Sequence, residues 1–154
     1  MTHRIGVISD THGLLRPEAM SALESCERII HAGDVGEESI LSKLEALAPV
    51  DAVRGNVDFE PWARRLPRTR VVEVGGVSVY VLHDILDLDL DPSAASFDVV
   101  VFGHSHRPVV EHKHGVMHLN PGSAGPRRFH LPVTVAILHV RDGKADAEIV
   151  EVLR

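Results

Sequence analysis

Up to Asn56 the chain alternates short apolar runs, each closed by a turn of small or polar residues, with segments of helical spacing, and contains no internal sequence repeat. Arg4–Ser9, "RIGVIS", has the make-up of a buried strand and is closed by the polar turn Asp10–Gly13. Pro17 suits the first turn of a helix, Glu18 suits its positive end, and Ala19, Met20, Ala22 and Leu23 give it one apolar face. Glu27–His31 is a second strand, ending at Ala32-Gly33-Asp34. Residues 37–48 carry Ile40, Leu41, Leu44, Leu47 and Ala48 at helical spacing, and Pro49 stops the helix. Val50–Arg54 is a third strand, ending at Gly55-Asn56. Strand–helix–strand–helix–strand predicts parallel strands joined by right-handed crossovers. Such a sheet places all its carboxyl ends along one rim, where ligands bind.

The second half is strand-rich. "RVVEVGGVSVYVLH" predicts a hairpin turning at Gly75-Gly76, Phe97–Phe102 a further strand, and "RPVVEHKHGVMHLN" a hairpin turning near Lys113–Gly115. A last hairpin turns at Asp142-Gly143. The chain therefore predicts one α/β domain over residues 1–154, with two mixed sheets packed face to face and helices outside.

Composition removes several classes of function. A net charge of −6 and only six Phe, Tyr and Trp residues supply neither a basic field nor a stacking platform, so no stable nucleic-acid binding is expected. No apolar run approaches the ~18 residues of a membrane helix, and "MTHRIGVISD" has no cleavable apolar region, so a cytoplasmic location is expected. Cys26, the lone cysteine, excludes an intrachain disulfide and a thiolate cluster; it follows Leu23 on a helix face and reads as a buried structural thiol.

Histidine is the residue in excess, with eleven copies. Five predicted strands end in metal-ligand types: Asp10 and His12 after the first, Asp34 after the second, Asn56 after the third, His83 after Val77–Leu82, and His104 with His106 after Phe97–Phe102. In extended chain, i and i+2 point the same way, so each Asp10/His12 and His104/His106 pair can serve one small volume. Gly33, Gly55 and Gly103 precede ligand candidates and allow tight turns and close backbone approach to an ion. Seven candidates exceed one tetrahedral site but suit two divalent ions ~3.5–4 Å apart. The mixture of imidazole, carboxylate and amide suits Mn²⁺, Fe²⁺, Co²⁺, Ni²⁺ or Zn²⁺ better than Ca²⁺. A single strand-end histidine is ordinarily a hydrogen-bonded or surface residue; the joint occurrence at five strand ends is what points to metal. His112 and His114 read as solvated, His31 as a satisfied strand-end residue, Trp62 as packed, and Arg64, Arg65, Arg68 and Arg70 as a solvated basic loop, with phosphate contact or a partner surface as the alternatives.

The ordered set "DTH", "GD", "GN", "H" and "GHSH", running from Ile5 to about Ala136, resembles the calcineurin-like metallophosphoesterase superfamily. The trailing "NPGS" and small size resemble its compact prokaryotic phosphodiesterase branch. The resemblance implies a four-layer α/β/β/α sandwich of the metallo-dependent phosphatase type. It also implies Asp10, His12 and His106 on one ion, Asn56, His83 and His104 on the other, Asp34 bridging, and Ser105 turned away. Two divalent ions, two aspartates and a bridging hydroxide would leave about one positive charge to meet an anionic phosphoester. The implied reaction is hydrolysis of a small phosphoester by that hydroxide, with no covalent intermediate, and Mn²⁺ as the favoured ion. Alternatives are a phosphomonoesterase, a cyclic-nucleotide phosphodiesterase, or a non-catalytic scaffold like the retromer subunit of the family; the complete ligand set favours catalysis.

Two departures bear on substrate. Many monoesterases of the superfamily have His after the "GN" asparagine; Val57 stands there, which favours diesters with good leaving groups. Asp84 stands where the compact branch often has Gly and adds negative charge near the site, to orient a ligand, to favour metal retention or simply to face solvent. Arg127 and Arg128 follow "NPGSAGP" and are weaker candidates for substrate contact. Only twenty residues separate His83 from His104, so the site is expected to be open and shallow, and the edge strands are compatible with a homodimer.

Overall fold

In the computed structural model, which describes residues 1–153, two five-stranded sheets stack face to face. The elements are β1 (Thr2–Ile8), α1 (Pro17–Leu23), β2 (Arg28–His31), α2 (Glu38–Glu45), β3 (Val50–Ala52), β4 (Thr69–Val74), β5 (Val77–Leu82), β6 (Val99–Val101), β7 (Val109–Lys113), β8 (Val116–Asn120), β9 (Val133–Arg141) and β10 (Lys144–Leu153). The first sheet runs β10-β9-β1-β2-β3 and the second β4-β5-β6-β8-β7. β1, β2 and β3 are mutually parallel, as are β5, β6 and β8; the hairpin strands are antiparallel to their partners.

Strand alternation builds the layers. Ile5 and Val7 of β1, Ala136, Leu138 and Val140 of β9, Val77, Val79 and Val81 of β5, and Val99 and Val101 of β6 all meet in the core between the sheets. The opposite face of the first sheet, with Ile8, Ile29, Val135 and Ile137, packs on Leu23 of α1 and Ile40 and Leu44 of α2. Gly6 lies on that face because a β-carbon there would stand 2.6 Å from Leu23 and 3.3 Å from the Cys26 sulfur. Cys26 is buried and free, and burial pushes its thiol pKa up, as suits a structural residue.

The outer layer of the second sheet is thin. Tyr80, Leu82, Val100 and Phe102 are covered by Ile85, Leu88, Leu90 and Phe97 from a connection whose one regular element is the short 3₁₀ turn Ile85–Asp87. The apolar residues there recur at spacing two and are interrupted by Asp87, Asp89, Asp91 and Pro92, which denies an α-helix its stripe. The predicted elements otherwise stand within a few residues of the observed ones, and all three hairpins turn where expected. Among the described residues, no helix is long and apolar enough to cross a membrane.

Candidate metal centre

The two parallel strand triplets end on the same rim, and the chain leaving each end is tied to the next. The amide of Asp10 donates to Gly33 O at 3.0 Å and that of His12 to Asp34 O at 2.9 Å, joining the β1 and β2 loops. Gly103 N–H donates to His83 O at 2.8 Å, joining β5 and β6. The amide of His104 donates to Asp10 Oδ2 at 3.2 Å and closes the gap between sheets. Asn120, at the end of β8, donates to Gly103 O and to Ser105 Oγ, both at 3.1 Å, so the Ser105 side chain is engaged away from the ion ligands.

These loops are not extended. Asp10, His12, Asp34, His104 and His106 all have φ between 45° and 71°, in the left-handed region. The i, i+2 convergence expected from strand alternation is therefore replaced by tight turning at each ligand. Left-handed backbone at a non-glycine residue costs roughly 1–2 kcal/mol, and five of the nine non-glycine cases in the described chain fall on the seven candidate ligands. Strain concentrated in this way marks a functional site.

All seven candidate side chains are brought together. Donor atoms of Asp10, His12 and His106 lie within 4.8 Å of one another, as do those of Asp34, His83 and His104. Asn56 Nδ2 stands 3.4 Å from His104 Nδ1. Asp34 Oδ2 is 3.0 Å from His83 Nε2 and 3.7 Å from His12 Nε2, so it faces both groups. Asp10 Oδ1 lies 3.4 Å from His106 Nε2, 3.7 Å from His12 Nε2 and 3.8 Å from His83 Nε2.

The hydrogen bonding inside this cluster is incomplete in a particular way. His83 Nδ1 donates to Ala32 O at 2.7 Å, leaving Nε2 a lone pair in the neutral imidazole. That lone pair faces two carboxylate oxygens, and Nε2 makes no hydrogen bond despite its 3.0 Å approach to Asp34. His12 Nε2, Asp10 Oδ1 and His106 Nδ1 are likewise buried without partners. Lone pairs converging on each other from carboxylate and imidazole are mutually repulsive unless a cation lies among them. The donor set and its orphaned atoms fit a pair of divalent ions.

Protons partly serve that need in the free protein. Burial would raise the Asp10 carboxyl, but the imidazoles of His106, His12 and His83 and the Ser9 hydroxyl outweigh it and hold Asp10 well below the usual carboxylate range. Burial also opposes ionisation of Asp34 and His83, yet their mutual attraction wins: Asp34 is pulled down and His83 pushed up.

The family model described as the calcineurin-like phosphoesterase superfamily domain matches residues 3–143. The chain belongs to the calcineurin-like phosphoesterase superfamily. It is 37% identical to a probable metallophosphoesterase of Methanothermobacter thermautotrophicus, over 95% of this chain and 91% of that one. It is 30% identical to a phosphodiesterase of Methanocaldococcus jannaschii, over 88% of this chain and 92% of that one. The crystal structure of Vps29 from Entamoeba histolytica complexed with zinc superposes with a TM-score of 0.76 at 19% identity, over 97% of this chain and 99% of that one; this likeness is one of fold.

Within this calcineurin-like fold the glycines do more than loosen turns. A β-carbon on Gly55 would meet Asp34 N and Oδ1 at 2.2 Å, and one on Gly103 would meet Ser9 Oγ at 2.1 Å and Asp10 Oδ2 at 2.7 Å. Each glycine clears space for the ligand of the neighbouring strand. Gly55→Ala is expected to displace Asp34, lower stability by about 2 kcal/mol and weaken Mn²⁺ binding; chemical denaturation and calorimetric Mn²⁺ titration check both.

Several supporting groups escape sequence reading. Asp58 is buried and its carboxylate accepts three backbone N–H bonds, from Val35 at 3.2 Å, Gly36 at 3.1 Å and Gly55 at 2.9 Å, clamping the Asp34 loop to the Asn56 loop. Its place in "GNVD", an acid three residues after a turn glycine, is the one signal that could have marked it. Ser9 donates to Asp10 Oδ2 at 2.7 Å. Asp84 does not simply face solvent: Oδ1 accepts from Leu86 N–H at 3.0 Å and Oδ2 stands 3.7 Å from His104 Nε2. Arg127 turns away, donating to Leu153 O at 3.1 Å, and Arg128 is exposed. Of the basic loop, Arg70 pairs with Asp51, and Trp62 packs at the edge of the helix-side core.

His31 is satisfied on both nitrogens. The Thr11 hydroxyl spends its proton on Val35 O, so its oxygen accepts from His31 Nε2–H at 3.0 Å, while Gly33 N–H donates to Nδ1 at 3.1 Å. This arrangement admits only the neutral ring, and burial holds its pKa down to about 4 against 6.5 unfolded, with Asp10 and Asp58 offsetting only part. A depressed histidine contributes its stability fully above pH 6.5 and loses it as pH falls toward 4, because the unfolded chain takes the proton first. The expected loss across that window is about 3 kcal/mol. Asp10 and Asp34, both lowered, act below it, and His83, raised, acts above it. Urea unfolding of the metal-free protein between pH 6.5 and 4.5 checks this, with His31→Gln expected to flatten the slope.

Proposed function

We propose that the protein hydrolyses small phosphodiesters at a centre of two divalent ions. Asp10, His12 and His106 would hold one ion, Asn56, His83 and His104 the other, and Asp34 both. The observation that carries this reading is that Asp10 Oδ1, His12 Nε2 and His83 Nε2 are buried without hydrogen-bond partners and lie beside one another, with His106 Nε2 3.4 Å from Asp10 Oδ1 and Asp34 Oδ2 facing both His83 and His12. When bound, such ions lower the pKa of a water toward ~7 and neutralise charge on a phosphoryl group. The chain's own part is to fix the ligands: Ala32 O sets the His83 tautomer, Ser9 and the His104 amide hold Asp10 Oδ2, and Val57 N–H holds Asp34 Oδ1 at 3.0 Å. The mixed imidazole, carboxylate and amide set is compatible with Mn²⁺, Fe²⁺, Co²⁺, Ni²⁺ and Zn²⁺, and Mn²⁺ is the proposed occupant. A cytoplasmic setting is part of the proposal.

Diester preference rests on Val57. Its side chain is half exposed beside Asn56 and offers no proton to a departing alkoxide. Esters with good leaving groups need none. The Mn²⁺-loaded protein is expected to favour bis(p-nitrophenyl) phosphate over p-nitrophenyl phosphate in kcat/KM by about tenfold or more. Chelation should abolish turnover and Mn²⁺ restore it. A preference for the monoester would overturn the diester reading, and absence of turnover on both with ions bound would favour the scaffold alternative.

A further inference from the structure

The rim beside Asn56 carries more than the metal ligands. A cavity of about 390 Å³ opens there, lined by Arg54 and Arg68 and by Asp84, Asp87 and Asp89. It adjoins a smaller depression of about 130 Å³, which shares Arg54, Asn56 and Arg68 and adds Arg64 and Phe59. Among the described residues, none of these three arginines lies within 4.0 Å of a carboxylate, although Arg28, Arg70 and Arg141 do. Arg54 Nε is buried without a hydrogen-bond partner. The one carboxylate lining the smaller depression, Asp58, is committed to three backbone N–H groups. Three unpaired guanidinium groups in a chain of net charge −6 form a local cationic site.

We propose that this depression binds a second phosphate group of the substrate, so that the preferred diester carries a phosphate monoester on one of its two alcohols. This rests on the hydrolytic reading above and names the class of substrate within it. Guanidinium forks match phosphate oxygens with paired hydrogen bonds. The acidic wall of the larger cavity repels an anion, which places the second phosphate on the Arg64 side, against Arg54, Arg64 and Arg68. Phe59, 72% exposed at the mouth, supplies an apolar wall for the carbon skeleton between the two phosphates.

The test uses the Mn²⁺-loaded full chain and two chromogenic diesters, the p-nitrophenyl ester of thymidine 5′-phosphate with and without a 3′-phosphate. The phosphorylated ester is expected to be preferred in kcat/KM by roughly ten- to a hundredfold, the range of hydrogen bonds between charged partners. The advantage should sit in KM and shrink with rising salt. Arg64→Ala/Arg68→Ala, exposed positions whose loss spares the core, and Arg54→Gln should each bring the ratio toward one, while Arg127→Ala leaves it unchanged. An equal or lower rate on the phosphorylated ester overturns the subsite, as does a ratio that survives the arginine substitutions. Failure to cleave either ester, or bis(p-nitrophenyl) phosphate, refutes the hydrolytic reading itself and the subsite with it.

Discussion

Asp34→Asn is expected to lower diester turnover by on the order of a thousandfold while leaving the fold in place. The asparagine carbonyl oxygen can keep the bond that Asp34 Oδ1 accepts from Val57 N–H, so the loop loses little. What disappears is the charge on Oδ2, the one oxygen of this side chain that faces both His83 and His12. A neutral amide there offers either a weaker oxygen donor or an N–H group that repels a cation. Two readouts separate metal binding from catalysis. Calorimetric titration with Mn²⁺ should fall from two tight ions in the parent protein to one or fewer, and bis(p-nitrophenyl) phosphate turnover should fall with it. Full stoichiometry with a rate within tenfold of the parent would remove Asp34 from its shared role. Asp84→Ala serves as the contrast: Asp84 is tied to Leu86 N–H and reaches His104 Nε2 only at 3.7 Å, so its loss should move turnover by less than about tenfold.

The fold and the site were legible to different degrees for a physical reason. Strand and helix positions follow from apolar periodicity, which Ile5, Val7, Leu138 and Val140 express directly because each side of a strand meets one environment. The ligand residues were readable because each terminates such a strand. Their geometry was not. Left-handed backbone at Asp10, His12, Asp34, His104 and His106 leaves no mark in composition, since these residues tolerate it at a cost and only tertiary contacts impose it. The glycines show the same limit: Gly55 and Gly103 were visible as turn formers, but the atoms that forbid a side chain there belong to Asp34, Ser9 and Asp10, remote in sequence. The outer layer over the second sheet is a 3₁₀ turn and extended chain because nothing in 84–98 carries helical periodicity. Arg54 was absorbed into a strand end, and its unpaired guanidinium is visible only once the charges around it are placed.

Asp58→Ala is expected to have the largest effect on stability of any single change near the site, about 4 kcal/mol. The estimate follows from what the carboxylate leaves behind. Val35, Gly36 and Gly55 each lose an acceptor, and each orphaned, desolvated N–H costs about 1–3 kcal/mol; partial entry of water keeps the total near the lower part of the sum. The three amides lie on two loops, one carrying Asp34 and the other Asn56, so the substitution also unties one candidate ligand from another. Asp58→Asn is expected to fall between: its oxygen can satisfy one or two of the amides, but its NH₂ group presents a donor to the remainder. Because the loops can open without the sheets, hydrogen exchange discriminates the mechanism. Faster exchange confined to residues 35, 36 and 55, with β5 and β6 still protected, is the signature of a lost clamp. Uniform acceleration through both sheets would instead make Asp58 a general stability residue. An unchanged Mn²⁺ affinity in a variant whose three amides exchange freely would show that the two loops need no such tie to hold their ligands.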